Sequence, residues 1–465
     1  MLGKVFKAYD IRAIYPKPLS EKLAWQIGYG SARYLTEQAS EAGFDDPMMR
    51  HVVVGHDMRK SSPELVAALK QGIRDFGAHV IDVGLVDTPF ISFAINYLAC
   101  CGGIQTTASH NPSNYNGFKL SKINARPVGM ATGLDDIRRY AAMSDRDKVV
   151  PAGGREEARD LWEAYREHVF RSLEPDLTTG RKKLKVVVDA SNGMAGTMMP
   201  KLFDEVKGLR ITKINYDNST GEFVHEPNPL VEANLAQLRE EVTRQKADLG
   251  ICFDGDADRC MVVDEKAQPI PCDHLTAWLA GEYLRNDPGS AVAYDLRSTK
   301  ALPELIRKAG GVPIKSRVGH VFMKQIMAEN NAVFGGELSG HFYFRDNFYA
   351  DSGAIAFASV VSALVRAGKK MSSLIRPAQK YAQSGEINFE VEDKDEALAT
   401  LKKVYRKARV ESLDGITLDL GEWWCNIRAS NTEPLLRLNL EGPDQEFVRE
   451  KVDEVSSYLG EAVAH

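Results

Sequence analysis

The 465-residue sequence lacks an apolar run long enough to cross a membrane, and it lacks an excess of basic residues. A membrane span needs roughly 18 or more consecutive apolar residues, and the N-terminal segment MLGKVFKAYD also lacks the apolar core of a signal peptide. The net charge of −5 gives no basic footprint for nucleic acid. We therefore predict a cytoplasmic protein that binds neither membranes nor nucleic acid.

Cysteine is scarce as well. The chain has six cysteines, two of them adjacent at Cys100 and Cys101, and their spacing is not that of a metal site. This pattern is typical of reduced thiols in a cytosolic protein. Hydrophobic residues make up 44% and charged residues 26% of the chain, as in a globular enzyme, and the length predicts about three domains.

The segment TTASHNPSNYNGFK (residues 106–119) places a hydroxyl, Ser109, directly beside an imidazole, His110. Because Asn-Pro cannot continue a helix, we predict that Ser109 lies on an exposed loop that leaves a strand. A nucleophile and an ordinary capping serine fit this segment equally well. A Ser-His hydrolase pair is disfavoured, since adjacent residues of extended chain point to opposite faces and His110 would be poorly placed to take the proton of Ser109.

In the segment ADLGICFDGDADRCMVVDE (residues 247–265), three aspartates alternate: Asp254, Asp256 and Asp258. Alternate side chains of extended chain share one face, so the carboxylates would repel one another unless a cation neutralised them, and oxygen ligands favour Mg²⁺. A calcium EF-hand loop is disfavoured, because Arg259 stands where the sharp turn needs glycine and both flanks look like strands. An aspartyl-phosphate phosphatase, with Asp254 as the nucleophile, is a second alternative.

Two further loops carry polar groups suited to a sugar phosphate. FGGELSGHFYF (residues 334–344) places Glu337, Ser339 and His341 on alternate positions, which suits sugar hydroxyls. IRASNTEPLLRL (residues 427–438) offers a guanidinium, hydroxyls and an amide for a phosphate, from Arg428, Ser430, Asn431 and Thr432. Each could be an ordinary turn, but their co-occurrence with the first two loops favours a ligand site.

A strand, a polar turn and a helix recur three times before residue 380. Runs that start at His51, Lys185 and Ala291 follow this plan, and in the first of them we predict a helix capped by Ser62 with Pro63 at its first position. A later strand of each copy leads into one of the chemical loops. Alternating strands and helices predict three similar mixed α/β modules with mostly parallel sheets and ligand loops at strand ends.

The C-terminal segment has a different order. An alternating strand (EINFEVED), an amphipathic helix (KDEALATLKKVYRKA), several strands and a closing helix predict a smaller α+β domain with an antiparallel sheet. Shifts in composition place boundaries near 150, 267 and 380. We therefore predict domains at residues 1–150, 151–267, 268–380 and 381–465.

Four of these segments together resemble the signature loops of the α-D-phosphohexomutase family: the phosphoserine loop TASHNP, the metal loop DGDADR, the sugar loop GELSGH and the phosphate loop RASNTEP. They occur in the family's order, and the resemblance extends from KAYDIR (residues 7–12) to the C-terminal segment. Two positions depart from the family pattern: Ala13 replaces the usual glycine after Arg12, and Arg297 stands where lysine is often found. The resemblance implies three similar α/β domains and a smaller fourth around one central cleft.

The resemblance implies an isomerase that interconverts hexose 1-phosphate and hexose 6-phosphate through phosphorylated Ser109. It also implies one Mg²⁺ per chain and hexose 1,6-bisphosphate as intermediate and activator. Lys119, His110 or an arginine would accept the proton of the attacking hydroxyl. The implied catalytic residues are Ser109, His110, Lys119, Arg12 and Arg259; the metal ligands are Ser109, Asp254, Asp256 and Asp258; the substrate contacts are Tyr9, Arg297, His320, Glu337, Ser339, His341, Arg428, Ser430, Asn431 and Thr432.

The preferred hexose is predicted from two short segments. Leu338 within GELSGH, and HEPNPL (residues 225–230), resemble the phosphomannomutase/phosphoglucomutase branch, whose substrates are mannose and glucose phosphates. The phosphoglucosamine branch tends to carry glutamine in place of Leu338, so a phosphoglucosamine mutase is the alternative. A non-catalytic sugar-phosphate-binding protein is disfavoured because Ser109 and the three aspartates are all present. The expected partners are small sugar phosphates.

Overall fold

The computed structural model describes residues 2–430 and 435–463. The chain forms two compact units: the first consists of Met1–Ile270 with Ser339–Ser372, and the second of Pro271–Leu338 with Ser373–His465. Asn431 and Thr432 of the predicted phosphate loop lie outside the described residues.

The first sheet, in the first unit, mixes parallel and antiparallel strands. Its strands are β1 (Ile11–Ile14), β2 (His51–His56), β3 (His79–Leu85), β4 (Gly102–Thr106), β5 (Tyr115–Lys122), β6 (Arg126–Pro127) and β7 (Glu156–Ala158). They are ordered β1-β5-β4-β2-β3-β7, with β6 beside β5. The buried strand β2 runs parallel to both β3 and β4, whereas β5 runs antiparallel to β4 and β1.

Five helices accompany this sheet: α1 (Leu2–Val5), α2 (Glu21–Glu41), α3 (Ser62–Phe76), α4 (Thr88–Leu98) and α5 (Leu134–Met143). The apolar faces of α2 and α3 pack into one core with β2 and β4. The predicted start of α3 is displaced by one residue, since Ser61 occupies the capping position and Pro63 lies in the first turn. The helix is capped at its C-terminus by Gly77, whose φ of 99° is costly for any residue with a Cβ atom.

The second sheet also belongs to the first unit. Its strands are β8 (Leu184–Asp189), β9 (Leu209–Ile214), β10 (Leu249–Phe253), β11 (Cys260–Asp264) and β12 (Pro269–Ile270), ordered β12-β11-β10-β8-β9. The strand β8 is parallel to β9 and β10, and β10 forms an antiparallel hairpin with β11. The helices of this region are α6 (Trp162–Phe170), α7 (Pro175–Thr179), α8 (Ala195–Phe203) and α9 (Ala236–Gln245).

The third set of strands lies in the second unit and repeats this plan. Its strands β13 (Ala291–Asp295), β14 (Val312–Ser316) and β15 (Phe334–Gly336) are ordered β14-β13-β15, and β13 is parallel to both neighbours. Its helices are α10 (Cys272–Asn286), α11 (Ala301–Lys308) and α12 (His320–Glu329). In all three modules the strand that opens the repeated strand, turn and helix (β2, β8 or β13) therefore lies between the two strands that follow it in the chain.

After β15 the chain continues through β16 (Phe342–Phe344), α13 (Gly353–Ala367) and α14 (Met371–Ile375). Helix α13 begins where the Ser352 hydroxyl accepts a hydrogen bond from the backbone N–H of Ile355. It ends at Gly368, which has a φ of 58°. Short 3₁₀ turns lie at Pro47–Arg50, Ile123–Ala125, Met130–Thr132, Glu232–Leu235, Arg345–Asn347 and Arg376–Ala378.

The C-terminal sheet is antiparallel throughout its described pairings. Its strands are β17 (Ala382–Glu390), β18 (Arg409–Glu411), β19 (Ile416–Asp419), β20 (Trp424–Ala429), β21 (Leu435–Gly442) and β22 (Ala462–Val463), ordered β18-β19-β20-β21-β17-β22. Helices α15 (Lys394–Val404) and α16 (Gln445–Ser456) pack their apolar residues against it. The predicted fold class, three mixed α/β modules and an α+β module, is confirmed.

Within residues 2–430 and 435–463, the helices are all too short or too polar to cross a bilayer. The six cysteines are buried and are held as thiols.

Candidate active site

The loops that carry Ser109, Asp254 and Glu337 occupy corresponding positions in the three α/β modules. Ser109 follows β4 after two residues; Asp254 follows β10 directly, and Glu337 follows β15 directly. Ligand sites of parallel sheets lie at the carboxyl ends of the strands. The repeated plan inferred from the sequence therefore positions one polar loop per module.

Ser109 is buried, so the prediction of an exposed loop is wrong. Only 2% of its surface is exposed, and its φ is 51°, in the left-handed region. Its carbonyl oxygen lies against Gly255, where an added Cβ atom would be 2.3 Å away. The close approach of the metal loop, which the sequence of residues 106–119 cannot reveal, removes this serine from the surface.

His110 is also placed differently from the prediction. The left-handed conformation of Ser109 turns the two neighbouring side chains toward each other, and Ser109 Oγ lies 3.3 Å from His110 Nδ1. The prediction that His110 is poorly placed to take the proton of Ser109 is therefore wrong in its geometry. Burial, reinforced by Arg259 and Arg12, lowers the pKa of His110 well below its usual value. The lowered pKa favours the neutral imidazole, which has a free electron pair for a proton but is a weaker base than an exposed histidine.

Arg59, which the sequence analysis missed, holds the serine loop. Its buried guanidinium donates to the carbonyl oxygens of Ser109 (2.8 Å), Asn111 (2.7 Å), Pro112 (2.6 Å) and Tyr115 (3.0 Å). Its Nε donates to an Asp57 carboxylate oxygen at 3.1 Å, so all its donor groups are used within the protein. In the segment HDMRKSS this arginine looks like a surface charge, and its four carbonyl partners carry no sequence signal.

The three aspartates form one buried cluster at the hairpin between β10 and β11. Their ligand oxygens lie within 4.8 Å of one another. An Asp254 oxygen accepts a hydrogen bond from Ser109 Oγ at 3.1 Å, which links the metal loop to the serine loop. Burial, reinforced by Asp258 and Asp256, raises the pKa of Asp254 well above its usual value. Burial and the two neighbouring carboxylates thus disfavour the charged form of Asp254.

Lys119 is the principal cation of this cluster. Its Nζ lies 2.8 Å from Asp256 Oδ2 and 2.6 Å from Asp258 Oδ2. Burial by itself would lower the pKa of Lys119, but Asp256 and Asp258 outweigh burial and raise the pKa above its usual value. Lys119 is therefore held as an ammonium ion, which disfavours it as a proton acceptor.

The orientation of Asp256 indicates a cation site. Thr88, at the start of α4, donates its hydroxyl to Asp256 Oδ2 and its backbone N–H to the Asp256 carbonyl. Oxygen Oδ1 of the same carboxylate is buried and receives no hydrogen bond from the described residues. Oxygen Oδ1 of Asp258 is in the same condition, and three carboxylates, two of them with an oxygen that accepts no hydrogen bond from the described residues, fit a hard divalent cation such as Mg²⁺.

His341 of the predicted sugar loop lies beside the same cluster, in the first unit. Its Nε2 is 3.3 Å from Asp258 Oδ1, and its Nδ1 is 2.7 Å from Ser339 Oγ. The backbones of His341 and Arg259 also form an antiparallel bridge. Ser339, predicted to contact the sugar, therefore also orients His341.

The remaining predicted residues of the first unit surround the serine loop. Arg12 donates to the side chains of Asn111 and Asp10. Arg259 Nε lies 3.7 Å from an Asp254 oxygen, and Tyr9 lies in the bend before β1. Ala13, the departure from the family pattern, lies within strand β1 and causes no strain there.

In the second unit, the predicted sugar-binding residues meet at the start of α12. The Glu337 carboxylate accepts a hydrogen bond from the backbone N–H of Gly319 at 2.8 Å, next to His320, the first residue of the helix. The backbone N–H of Leu338 donates to Asp295 at 2.8 Å, and Asp295 also pairs with Arg297. The loop thus positions Glu337 through contacts on both sides.

Arg428 and Arg297 belong to a basic cluster of the second unit that also includes Arg437. The guanidiniums of all three contact one carboxylate, that of Glu386: the distances are 3.2 Å from Arg297, 3.0 Å from Arg428 and 3.2 Å from Arg437. Burial alone would raise the pKa of Glu386, but the three arginines outweigh it and lower the pKa to about 2. Glu386 and Arg437 were not predicted as site residues from the sequence. Ser430 is 9% exposed and its N–H donates to the Leu435 carbonyl.

Comparison with known proteins assigns the whole chain to one family. Four profiles of phosphoglucomutase/phosphomannomutase match in sequence order: α/β/α domain I at residues 3–145, domain II at 163–267, domain III at 271–381 and the C-terminal domain at 386–457.

Similar proteins match over almost their full length. The chain is 38% identical to "Phosphohexose mutases" of Xanthomonas campestris and 36% identical to a phosphomannomutase of Escherichia coli, and each match covers 98% of both chains. A crystal structure of a phosphoglucomutase/phosphomannomutase family protein from Burkholderia thailandensis has a TM-score of 0.86 at 30% identity and covers 98% of this chain and 96% of its own. These matches confirm the resemblance inferred from the four loops: the chain belongs to the phosphoglucomutase/phosphomannomutase family and is a hexose phosphate mutase, an isomerase.

Proposed function

We propose that this mutase interconverts the 1-phosphate and 6-phosphate of mannose and of glucose through phosphorylated Ser109. The observation that carries the proposal is the contact of Ser109 Oγ with Asp254, 3.1 Å away, at the edge of three buried carboxylates. A hydroxyl held against a cation site can pass a phosphoryl group to and from a substrate hydroxyl.

The metal of this site is proposed to be Mg²⁺. Asp254, Asp256 and Asp258 would hold it together with one oxygen of the phosphate on Ser109. When bound, the ion would offset the negative charge that develops on the serine oxygen as the phosphoryl group leaves.

Residues of the chain supply the remaining chemistry at Ser109. His110, neutral and 3.3 Å from Ser109 Oγ, is proposed to take the proton of the serine when a phosphoryl group returns to it. Lys119, Arg259 and Arg12 would add positive charge beside the transferred group. Lys119 stays an ammonium ion in this role, because its two carboxylate partners raise its pKa.

Further residues are proposed to bind the part of the substrate that does not react. Arg428 and Ser430, with Asn431 and Thr432, would hold the fixed phosphate of the sugar. The ring hydroxyls would contact Glu337, Ser339 and His341, with Tyr9, Arg297 and His320 as further contacts. Hexose 1,6-bisphosphate would form in mid-cycle and turn over, so that its other phosphate returns to Ser109. A cytoplasmic location and the four domain boundaries stay predictions.

The phosphoserine is tested by intact-mass measurement and peptide mapping of the purified protein. We expect one phosphate on Ser109, and we expect Ser109→Ala to lack both this phosphate and turnover. A phosphate found on Asp254 instead would support the phosphatase alternative and contradict the proposal.

The preferred hexose is tested by a coupled assay of three substrates. Leu338 offers an apolar side chain, which cannot hydrogen-bond the substituent at carbon 2, so mannose 1-phosphate and glucose 1-phosphate should both be converted. Glucosamine 1-phosphate should react more slowly. A trace of hexose 1,6-bisphosphate serves as primer. The highest kcat/KM for glucosamine phosphate would replace this assignment with the phosphoglucosamine alternative.

A further inference from the structure

Glu386 enters the basic cluster through a local irregularity of β17. The pairing of β17 with β21 shifts register between Gln383 and Glu386, and Gly385 within this bulge has a φ of 70°. Bulges redirect side chains and are frequent beside active sites. Here the bulge places the Glu386 carboxylate within 3.0 Å of an Arg428 nitrogen.

The arginines would repel one another without this carboxylate. Arg428 and Arg437 are directly opposite residues of β20 and β21, an arrangement in which like charges destabilise a sheet. Arg297 has a second partner, Asp295, whose oxygens accept from its Nε and Nη2. Glu386 is therefore the anion that Arg428 and Arg437 share.

Arg428 is nevertheless incompletely satisfied. It is 3% exposed, and its Nε makes no hydrogen bond to the described residues. Burial and the nearby Arg297 lower the pKa of Arg428, which indicates that the cluster holds more positive charge than its environment favours. A phosphate dianion could accept a hydrogen bond from Arg428 Nε and would neutralise the excess positive charge. It would, however, compete with the Glu386 carboxylate, which already contacts the same guanidinium.

We propose that Glu386 is a resident competitor of the substrate phosphate and sets how tightly this site holds it. The inference rests on the proposed function, in which Arg428 binds the fixed phosphate. A mutase must release that phosphate in mid-cycle so that the bisphosphate can turn over. A carboxylate that re-pairs with Arg428 as the phosphate leaves lowers the cost of release, at the expense of weaker binding.

A purely structural role for Glu386 predicts the opposite sign. If the carboxylate only held the arginines in position, its loss would displace their guanidinium groups and weaken phosphate binding. If it competes with phosphate, its loss would leave the arginines with excess positive charge and strengthen binding. The direction of the change in affinity therefore separates the two roles.

The experiment uses the full-length protein and inorganic phosphate as the probe, with affinity measured by calorimetry and by competitive inhibition. For Glu386→Gln we expect about ten-fold tighter phosphate binding, equivalent to about 1.4 kcal/mol. We also expect lower KM and lower kcat for the sugar phosphate, and a larger stabilisation by phosphate in thermal unfolding. Glu386→Asp, which keeps the charge, should retain most of the wild-type affinity. Glu422→Gln, which removes an exposed charge of the same domain, should behave as wild type.

Unchanged or weaker phosphate binding by Glu386→Gln overturns the inference. Arg428→Gln separates this failure from failure of the proposed function. If Arg428→Gln abolishes phosphate binding while Glu386→Gln fails to strengthen it, the phosphate site stands and only the competition is wrong. If Arg428→Gln leaves phosphate affinity unchanged, the proposed phosphate site is wrong, and the proposal that Glu386 competes with phosphate there is wrong as well.

Discussion

The acidic cluster of the first unit and the basic cluster of the second are built on the same principle with opposite sign. In the first, Lys119 contacts two of three buried aspartates; in the second, Glu386 contacts all three arginines. Each cluster includes an oppositely charged side chain and leaves buried polar atoms without a hydrogen-bond partner among the described residues, Asp256 Oδ1 and Asp258 Oδ1 in the first and Arg428 Nε in the second. The sign of the surplus charge indicates the ligand: a cation for the aspartates and a phosphate for the arginines.

The largest effect is expected from the acidic cluster. Asp256→Asn removes one of the charges that attract the cation, so we expect kcat to fall by roughly 1,000-fold and binding of Mn²⁺, used as a Mg²⁺ analogue, to weaken. Steady-state kinetics and electron paramagnetic resonance of bound Mn²⁺ measure the two effects. Asp248→Asn, at the surface of the same module, serves as the control. Wild-type activity after exhaustive chelation would contradict the assignment of a metal to this cluster.

The basic cluster should respond in KM rather than in kcat. Arg428→Gln removes a buried guanidinium from the proposed phosphate site, and loss of such a partner costs about 2–5 kcal/mol in buried charged pairs. We expect KM for the sugar phosphate to rise by roughly 100-fold, with a smaller change in kcat. A fall in kcat at unchanged KM would mean that the two clusters do not divide binding and chemistry in this way.

Arg59 tests whether a buried arginine with all its donors satisfied behaves differently from Arg428. Lysine at this position cannot reach four carbonyl oxygens at once, so Arg59→Lys should loosen the serine loop. We expect kcat to fall by about ten-fold while KM and phosphate affinity stay near wild type. Arg428→Lys provides the contrast, because it should change KM first. Equal effects on KM from both variants would show that Arg59 contacts the ligand.

The smallest effect is expected at Asp87, a buried carboxyl whose hydrogen-bond partner is the neutral hydroxyl of Tyr165. Burial raises the pKa of Asp87 from 3.8 to about 7. The folded state therefore holds a proton that the unfolded state has lost, and the stability from this group declines as pH rises from about 4 to about 7. Asp87→Asn should raise the unfolding temperature by about 1–3 °C at pH 8 and leave it unchanged at pH 4. Parallel pH profiles of the two proteins would contradict the shifted pKa.

The sequence predicted what is encoded locally. The periodicity of strands, turns and helices predicted the three α/β modules, and the loops after β4, β10 and β15 were identified because hydroxyls, carboxylates and glycines cluster there. The burial of Ser109 and its contact with His110 were predicted wrongly, because both depend on a left-handed residue and on the approach of Gly255 from another module. The residue types of Ser109 and His110 alone do not reveal that Ser109 adopts a left-handed backbone conformation.

Arg59, Thr88 and Glu386 were missed for a related reason. Arg59 contacts backbone carbonyl oxygens about fifty residues away, and carbonyl groups are the same at every position of the chain. Glu386 contacts Arg428 and Arg437 because a bulge redirects its side chain and because β20 and β21, which come later in the chain, belong to the same sheet. Residues that support a site through distant partners therefore need coordinates to be recognised.

Two glycines allow the backbone of the aspartate loop to contact the backbone of the serine loop directly. Gly193, Gly255 and Ser109 meet backbone to backbone: a Cβ atom at Gly193 would lie 2.6 Å from the Gly255 carbonyl oxygen, and one at Gly255 would lie 2.3 Å from that of Ser109. Such a stack has no flexible side chain that could absorb a displacement. A displacement of the aspartate loop therefore displaces the serine loop as well, and the spacing between nucleophile and cation site depends on the absence of a Cβ atom at each glycine.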